Sequence, residues 1–469
     1  MAERGPDAPD RAAGRAKAWH QSSGTALAGL LALAAALRLV GIEYGLPFGL
    51  LNPDEQSIVP RAWKMVHGGG LDPHWFDYPT LVMYVLAPFQ AWQGAPSYLT
   101  ARVVIVVLAL AGVAAAWWLG ERAYGPIAGA VAAAFTAVEA THVAYSHVAV
   151  TDVPLTLGVA ACLALCVTGR LEWAGVAAGL AASAKYPGIF LAVPIVVAGW
   201  RLWRRVAVSL ALAVAAFLAT SPFVAVHPLQ AWDEASRVQR LAREGWLGFE
   251  HDHWAGIAFS SRLWHGVGPA LLVAALGLVL ALFRRSRTDL VLVAFVVVYF
   301  LDLLTIRAHF DRYVLPLVPP LGALAGRVRY LAPVTLLLLV VPLAWSIRDD
   351  RRLTRTDPRI TAYHWIERNL PQGAKIAADS STPPLAGFDE LPLQLPGPGR
   401  PHDPNRDAAR LREQGVRYVV LTGAVEDRVR AAADRYPQEL RFLETFRRPL
   451  FRIGPDPWVA VYRLYPVPQ

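Results

Sequence analysis

The sequence predicts a multi-pass α-helical membrane protein that continues into a water-soluble α/β domain. Of its 469 residues, 55% are hydrophobic and 17% are charged, whereas charged residues make up about a quarter of a typical soluble domain. Long apolar stretches recur as far as residue 347. Beyond it, residues 348–469 contain 20 Lys and Arg and 16 Asp and Glu, which indicates a separate soluble domain.

About eleven apolar stretches predict transmembrane helices. They lie approximately at 24–46, 98–119, 125–145, 153–169, 171–184, 187–202, 206–226, 263–283, 290–306, 314–326 and 331–347. Residues 80–92 are also apolar, but about thirteen residues fall short of the ~20 that a perpendicular spanning helix needs. We therefore expect an interfacial or re-entrant helix there.

The distribution of arginine predicts the orientation. If 80–92 does not span, the arginine clusters near 122, 201–205, 284–287 and 327–329 all fall on the cytoplasmic side, as the positive-inside rule requires. Residues 1–23 then form a cytoplasmic tail of a plasma-membrane protein, and the loop 47–79 and the domain 348–469 lie outside. This pattern explains the net charge of +9. Because no basic helix or aromatic-spaced basic strip occurs, nucleic-acid binding is not expected.

The C-terminal domain shows local signals of an α/β fold. Asp357-Pro358 predicts a helix start, with the helix reaching about Asn369. The other predicted elements are strands at 375–378 and 416–421, helices near 405–414 and 424–435, and a closing hairpin of 450–453 and 459–464 that turns at Gly454-Pro455. No catalytic motif stands out, so we expect a cap or an acceptor-binding lid.

The two cysteines, Cys162 and Cys166, lie four residues apart within one apolar stretch. Two cysteines at this spacing supply neither a disulfide framework nor a zinc site. They are expected to pack as small apolar residues.

The acidic pair Asp54-Glu55 follows the first apolar stretch and opens the loop 47–79. Carboxylates beside lipid are costly unless they are paired or functional. One interpretation is a catalytic site, in which one carboxylate acts as a general base and its neighbour binds a cation or a sugar hydroxyl. The alternative is an ordinary helix start, with both residues as first-turn acids after Pro53.

A second acidic residue, Asp152, is expected at the same depth. The segment from Tyr145 to Asp152 ends the third predicted span on the same face, and Val153-Pro154 begins the next helix. Asp152 could be a plain N-cap before Pro154. The shared depth with Asp54 favours a joint site instead.

Several short motifs occur in a fixed order along nearly the whole chain. Asp54-Glu55 is followed by Tyr78-Pro79, by Ser146-His147 with Thr151-Asp152, and by Ala184-Lys185-Tyr186. Residues 309–316 read HFDRYVLP, and residues 365–371 read WIERNLP. This order resembles the GT-C glycosyltransferases, of the protein O-mannosyltransferase and aminoarabinose-transferase type.

The resemblance implies transfer of a sugar from a polyprenyl-phosphate donor to an acceptor hydroxyl, with inversion, on the outer face of the membrane. The acceptor would be a protein, a lipid or a glycan. Asp54 is then the expected base, and Glu55 and Asp152 position the acceptor or sugar. Arg312, followed by Lys185, Arg307 and His309, is expected to stabilise the departing phosphate. Tyr78, His147 and Tyr313 are the other residues expected to contact substrate.

Two alternatives remain open at this stage. No cofactor is required by the residues, but Asp54, Glu55 and Asp152 could supply the oxygen ligands that suit Mg²⁺ or Mn²⁺, and Glu250-His251-Asp252-His253 is a weaker candidate for a metal site. The second alternative is a transporter or flippase of lipid-linked sugars. Transporters often show inverted repeats and broken helices at the midplane. No such repeat is evident here, and the acids lie at loop ends rather than at the midplane.

Overall fold

The computed structural model describes residues 8–399, 402–455 and 457–464, with side chains from residue 24 onward. A large helical domain extends to residue 353, and a smaller α/β domain follows it. Residues 1–7 of the predicted tail lie outside the described residues. The chain is already helical from Ala8, so the helix that carries the first apolar stretch begins well before residue 24.

The helical domain contains eighteen α-helices within the described residues. They are α1 Ala8–Leu39, α2 Pro53–Lys64, α3 Leu81–Gln90, α4 Tyr98–Tyr124, α5 Pro126–Val138, α6 Ala140–Ser146, α7 Asp152–Val167, α8 Leu171–Ala184, α9 Ala192–Gly199, α10 Trp203–Thr220, α11 Phe223–Val226, α12 Pro228–Glu244, α13 Ala255–Val267, α14 Ala270–Arg284, α15 Arg287–Leu303, α16 Val318–Arg327, α17 Ala332–Leu338 and α18 Val340–Leu353. Short 3₁₀ turns cover Tyr186–Leu191, Asp311–Leu317 and Arg329–Leu331, and a π turn covers Met65–Gly69.

Helices occupy every stretch for which the sequence predicts a span, but the count of about eleven is not confirmed. By length and apolar composition, three helical stretches of the described chain suffice to cross a membrane: Tyr98–Tyr124, Trp203–Thr220 and Arg329–Asn369. The number rises to five if each of two bent pairs counts as one span. These pairs are α5 with α6, bent by 58°, and α13 with α14, bent by 120°.

The bend between α5 and α6 has a visible cause. Glu139 stands between the two helices with a non-helical backbone, and its carboxylate accepts the backbone N–H of His142. This side chain therefore caps α6 while it interrupts α5. The predicted single span at 125–145 is thus two helices.

Helix α2 begins at a capped N-terminus. Asn52 has an extended backbone, and its side-chain oxygen accepts the N–H of Asp54 at 2.9 Å. Pro53 occupies the first helical position, where its missing N–H costs nothing. Asp54 and Glu55 consequently lie in the first turn of α2, as the helix-start interpretation predicts.

The C-terminal domain is a five-stranded mixed sheet covered by helices. Its strands are β1 Lys375–Asp379, β2 Asp389–Leu393, β3 Tyr418–Thr422, β4 Phe451–Ile453 and β5 Val459–Arg463, in the order β2-β1-β3-β5-β4. β1 is parallel to β2 and β3, and β5 is antiparallel to β3 and β4. Its helices are α19 Pro358–Asn369, α20 Ala408–Glu413, α21 Gly423–Ala431 and α22 Pro437–Glu444.

The predicted elements of this domain are confirmed, with two additions. Asp357 caps α19 by accepting the N–H of Arg359 at 2.9 Å, and the closing hairpin β4–β5 turns through Gly454 at φ +81°. The sequence did not predict β2 or α22. β2 lies in a proline-rich segment where strand propensity is low, and its pairing with β1 depends on the tertiary fold.

Candidate functional site

A cavity of about 860 Å³ lies between the helical domain and the C-terminal domain. The start of α2, the loop before α3, α12 and the segment 308–313 form its helical wall. Arg359, Ser381, Leu395, Val425 and Arg428 line it from the C-terminal domain. Asp54 and the C-terminal domain therefore lie on the same side of the helical domain, which agrees with the predicted sidedness.

The centre of the helical wall is the ion pair of Asp54 with Arg312. Arg312 Nη1 donates to Asp54 Oδ2, and the hydroxyl of Tyr78 donates to the same oxygen at 2.9 Å. Both charged side chains are largely buried, at 10% exposure for Arg312 and 16% for Asp54. Arg312 Nε finds no hydrogen-bond partner among the described residues. The site thus holds the carboxylate of Asp54 and the guanidinium of Arg312, and one N–H group of that guanidinium has no hydrogen-bond partner among the described residues.

A second ion pair lies behind the first. Lys185 Nζ donates to Asp152 Oδ1 at 2.6 Å, and both side chains are buried. The ammonium lies 5.0 Å from the ring centre of Tyr313 and 5.7 Å from that of Tyr78. These two aromatic rings therefore stand between the pairs, and both line the cavity. Buried charges of opposite sign in this arrangement neutralise one another.

Asp152 is not the N-cap of α7. The cap position is Thr151, which makes no side-chain capping bond, and Asp152 lies in the first turn. One of its oxygens, Oδ2, is buried without a hydrogen-bond partner in the described part of the chain. The alternative of a plain N-cap is therefore wrong, and Asp152 retains an unused acceptor.

Glu55 does not lie at the cavity. Its carboxylate forms a two-pronged pair with Arg102, with Nη2–Oε1 at 2.6 Å and Nε–Oε2 at 3.1 Å, and both side chains are fully buried. Arg102 also donates to the carbonyls of Ile42 and Tyr44 at 2.7 and 2.8 Å. These bonds fix the chain between α1 and α2, so the geometry gives Glu55 a structural position.

His147 also lies away from the cavity. Its ring nitrogens are each 2.9 Å from a backbone carbonyl oxygen, that of Val143 for Nδ1 and that of Val40 for Nε2. The ring is fully buried and joins the end of α1 to the end of α6. The predicted contact of His147 with substrate therefore finds no support in the geometry.

His309, which was expected to stabilise the phosphate, lines the cavity next to Asp252. Its Nδ1 lies 3.1 Å from Asp252 Oδ2, and Arg262 donates to the same oxygen at 3.1 Å. Asp252 belongs to the proposed metal sequence 250–253. There Glu250 accepts instead from Tyr436 at 2.6 Å, and His251 contacts Asp434 at 3.0 Å. These three side chains bind different partners and do not gather around one point.

The three carboxylates predicted as possible metal ligands are likewise not gathered. Asp54, Glu55 and Asp152 each pair with a different cation, namely Arg312, Arg102 and Lys185. Among the described residues they form no group of three whose ligand atoms lie within 4.8 Å of one another. The electrostatic reason is that each carboxylate is already neutralised by a neighbouring basic side chain.

Sequence reasoning missed several polar residues of the cavity wall. Tyr145 donates to Asp311 at 2.7 Å, and Arg237 on α12 pairs with Asp77 at 2.6 Å. Burial raises the pKa of Asp77 above its usual range, and the nearby Arg237 opposes that rise. Asp77, Tyr145 and Asp311 all fall within motifs or loops of interest, whereas Arg237 lies in an amphipathic helix that carries no motif.

Comparison with known proteins identifies the architecture. Residues 75–306 match the model of glycosyltransferase family 87. The oligosaccharyltransferase of Archaeoglobus fulgidus, in its crystal structure with Zn and sulfate, superposes with a TM-score of 0.57 at 12% identity, over 93% of this chain and 73% of that one. ArnT from Cupriavidus metallidurans in the apo state gives a TM-score of 0.57 at 16% identity, over 95% and 98%. The fold is that of the GT-C glycosyltransferases.

The GT-C fold confirms the resemblance that the motif order predicts. A second ArnT structure, bound to undecaprenyl phosphate, has a TM-score of 0.51 at 17% identity, over 95% of this chain and 98% of that one. No curated protein sequence matches the chain significantly.

Proposed function

We propose that this GT-C protein transfers a sugar from a polyprenyl-phosphate donor to an acceptor hydroxyl in the cavity between its two domains. The observation that carries the proposal is the Asp54–Arg312 pair on the cavity wall. It places a proton acceptor and an anion-binding group side by side. The donor class is supported by two solved relatives, ArnT bound to undecaprenyl phosphate and the archaeal oligosaccharyltransferase AglB in complex with an inhibitory peptide and a dolichol-phosphate.

Arg312 is the group assigned to the donor phosphate. A guanidinium binds phosphate oxygens with two parallel hydrogen bonds, and Arg312 has an Nε with no partner among the described residues. As a phosphate engages Arg312, the guanidinium is drawn away from Asp54. The carboxylate oxygen that it occupied then becomes available to the acceptor hydroxyl, so donor binding prepares the base.

The reaction is a direct displacement at the anomeric carbon. Asp54 accepts the proton of the acceptor hydroxyl as the new C–O bond forms. The bond from the anomeric carbon to the phosphate oxygen breaks, and its electron pair leaves with the polyprenyl phosphate. Arg312 and, behind it, Lys185 stabilise the charge that develops on that phosphate. A single displacement inverts the anomeric configuration.

Asp152 and Tyr78 position the reacting groups in this proposal. Tyr78 holds Asp54 through its hydroxyl, and Asp152 holds Lys185. The free Oδ2 of Asp152 is assigned to a sugar hydroxyl that reaches past Tyr313. Glu55 and His147 are left out of the chemistry because neither lines the cavity and their polar atoms are already bonded to Arg102 and to backbone carbonyls.

The acceptor enters from the side of the C-terminal domain. That wall contributes Arg359, Ser381 and Arg428, polar groups that suit a protein, lipid or glycan acceptor. We assign the cavity to the outer face of the plasma membrane, with the N-terminus in the cytoplasm, because the arginine clusters favour this orientation.

The test uses purified protein in liposomes with labelled undecaprenyl-phosphate and dolichyl-phosphate sugars and a membrane extract as the acceptor source. Wild-type protein should release polyprenyl phosphate and move the label into a new glycosidic product. Asp54→Asn should lower the rate roughly 10²–10⁴-fold, the range expected for loss of a general base, without a change in thermal unfolding. The matched control is Asp233→Asn, because Asp233 is exposed on α12 and does not line the cavity.

Three outcomes discriminate. Wild-type turnover by Asp54→Asn would remove Asp54 as the base. Label that crosses the vesicle membrane without a new glycosidic bond would favour the flippase alternative. Failure to consume any polyprenyl-phosphate sugar would reject the donor class.

A further inference from the structure

The loop 70–79 and helix α12 meet at three side chains that could share one metal ion. Asp72 and His74 belong to the loop, and His227 directly precedes α12. Among the described residues, these three form the one group of His, Cys, Asp or Glu side chains whose ligand atoms all lie within 4.8 Å of one another. We propose that Asp72, His74 and His227 bind a zinc ion that fastens this loop to α12. The proposal does not depend on the proposed function.

The distances are close to those of a tetrahedral zinc site. Asp72 Oδ2 lies 2.8 Å from His227 Nε2 and 3.4 Å from His74 Nδ1. Ligand atoms at about 2.0–2.1 Å from zinc are separated by roughly 3.3 Å in a tetrahedron. Both distances lie within about half an ångström of that separation, and the three ligand atoms all lie within 4.8 Å of one another. A metal ligand must be deprotonated at the coordinating atom, so zinc would replace the hydrogen bond between His227 Nε2 and Asp72 Oδ2.

The backbone holds the ligands in this arrangement. The N–H of His74 donates to Asp72 Oδ1 at 2.9 Å, which leaves Oδ2 for the metal. His74 has φ +47°, one of two positive values among the described non-glycine residues. Such a conformation is unfavourable for a residue with a side chain and is often found at functional sites. It turns the imidazole back toward Asp72.

The exposure of the three side chains suits a site that an ion can enter. Asp72 is 14% exposed, His227 36% and His74 72%. Three protein ligands leave the fourth position of a tetrahedral zinc ion to water. Two imidazole nitrogens and one carboxylate favour zinc over magnesium, which prefers oxygen ligands.

The position of the site gives the ion a mechanical role. The same loop continues into Phe76, whose N–H donates to Glu234 at 2.5 Å, and into Asp77, which pairs with Arg237. Both partners are on α12, and Arg237 lines the cavity. A zinc ion at the start of α12 would therefore add a third contact between the loop 70–79 and α12, and would help to fix the position of Tyr78.

The experiment measures metal binding directly, with full-length protein in detergent, without a polyhistidine tag and stripped of metal. Titration with Zn²⁺ should show one ion per chain, and Co²⁺ should give the visible absorption of a tetrahedral site with nitrogen and oxygen ligands. A hundredfold excess of Mg²⁺ should not displace the zinc. His74→Ala and His227→Ala should each weaken zinc affinity at least about tenfold, which corresponds to about 1.4 kcal/mol.

The matched control is His67→Ala, because His67 is exposed in the turn just before the loop 70–79 and is not a member of the group. Its zinc affinity should equal that of the wild type. Saturating Zn²⁺ should also raise the unfolding temperature of the wild type and of His67→Ala, but not that of His227→Ala.

Two results would overturn the site. One is equal zinc binding by the wild type and a His74→Ala/His227→Ala double variant. The other is a wild type that binds no Zn²⁺ or Co²⁺ at a hundredfold molar excess. If His227→Ala does not fold, Asp72→Asn serves in its place, because the amide keeps the hydrogen bond to His74 but is a weaker ligand, and the Co²⁺ spectrum of the wild type decides independently.

Discussion

Of two adjacent carboxylates, Asp54 lies on the cavity wall and Glu55 lies in the core of the helical domain. Asp54 and Glu55 occupy the first turn of α2, where successive residues point about 100° apart. Asp54 meets Arg312 at a cavity shared with the C-terminal domain, and Glu55 meets Arg102 in surroundings that exclude water. The proposed function requires Arg312 to exchange Asp54 for a phosphate, whereas Arg102 and Glu55 are fully buried together. Two similar ion pairs therefore differ in their surroundings, and we expect them to respond differently to mutation.

Removing the charge of Glu55 should give the largest effect on stability. Glu55→Gln leaves Arg102 buried without its counter-ion, which costs about 3–5 kcal/mol, and the free energy of unfolding in detergent should fall by that amount. Asp54→Asn faces the cavity, where water can solvate Arg312, and should change the unfolding free energy far less.

The double variant Glu55→Gln/Arg102→Met tests the cause. Because it removes both charges, it should recover much of the stability that Glu55→Gln loses. If Glu55→Gln is as stable as the wild type while transfer is lost, Glu55 acts in the chemistry and the contrast with Asp54 fails.

Replacing the cavity arginine should affect activity more than stability. Arg312→Lys keeps the charge but loses the planar fork that binds two phosphate oxygens. We expect kcat/KM for the polyprenyl-phosphate donor to fall about 10–100-fold, or about 1.4–2.7 kcal/mol, with little change in unfolding temperature. Arg243→Lys is the control, since Arg243 is exposed on α12 outside the cavity lining. An unchanged kcat/KM for Arg312→Lys would mean that Arg312 serves only to hold Asp54.

The same contrast shows what the sequence could reveal. Asp54, Arg312, Tyr78, Tyr313 and His309 were predicted to share a site, and the structure brings all five to one cavity wall. Their motifs lie at the ends of apolar stretches, where topology alone places them on one face. Local signals also predicted most of the C-terminal domain, because caps, turns and alternating strands are short-range features.

What the sequence could not reveal depends on long-range pairing. Arg102 is 47 residues from Glu55 and lies inside an apolar stretch, so nothing local marks it as the partner that draws Glu55 into the core. His147 adjoins a motif, yet its ring binds backbone carbonyls whose positions depend on helix packing. The sequence does not show which of two adjacent carboxylates faces the cavity and which faces the core, because that depends on the direction of each side chain around the helix.

A buried ion cluster in the C-terminal domain is expected to make the stability of that domain depend on pH. Arg406 contacts Glu426 at 2.9 Å and Glu439 at 3.1 Å, and all three side chains are fully buried. His402 contacts Glu439 as well, and Asp379 acts on the cluster from β1. Burial raises the pKa of Glu426 to about 7, although Arg406 opposes that rise. Burial also raises the pKa of Glu439 and of Asp379.

The sign of the pH effect follows from these shifts. Between the ordinary pKa of Glu426, 4.5, and its folded value of about 7, the folded domain binds more protons than the unfolded chain, so stability falls as pH rises. Glu426→Gln should reduce this loss by an amount on the order of 1–2 kcal/mol between pH 5 and 7. Amide hydrogen exchange of β3, corrected for intrinsic rates, measures it. An unchanged pH dependence would assign the titration to Glu439 or Asp379.

The pair Asp77–Arg237 should show the smallest effect, although it lies at the cavity. Arg237 is 48% exposed and Asp77 22%, and exposed pairs contribute about 0.2–1 kcal/mol. Arg237→Ala should therefore lower the unfolding free energy by less than about 1 kcal/mol, with a larger effect at low salt because screening weakens the wild-type pair. A loss of unfolding free energy comparable to that of Glu55→Gln would show that the ion pair itself holds this loop to α12. The stability of the cavity wall would then depend on a charge pair as strongly as that of the core does.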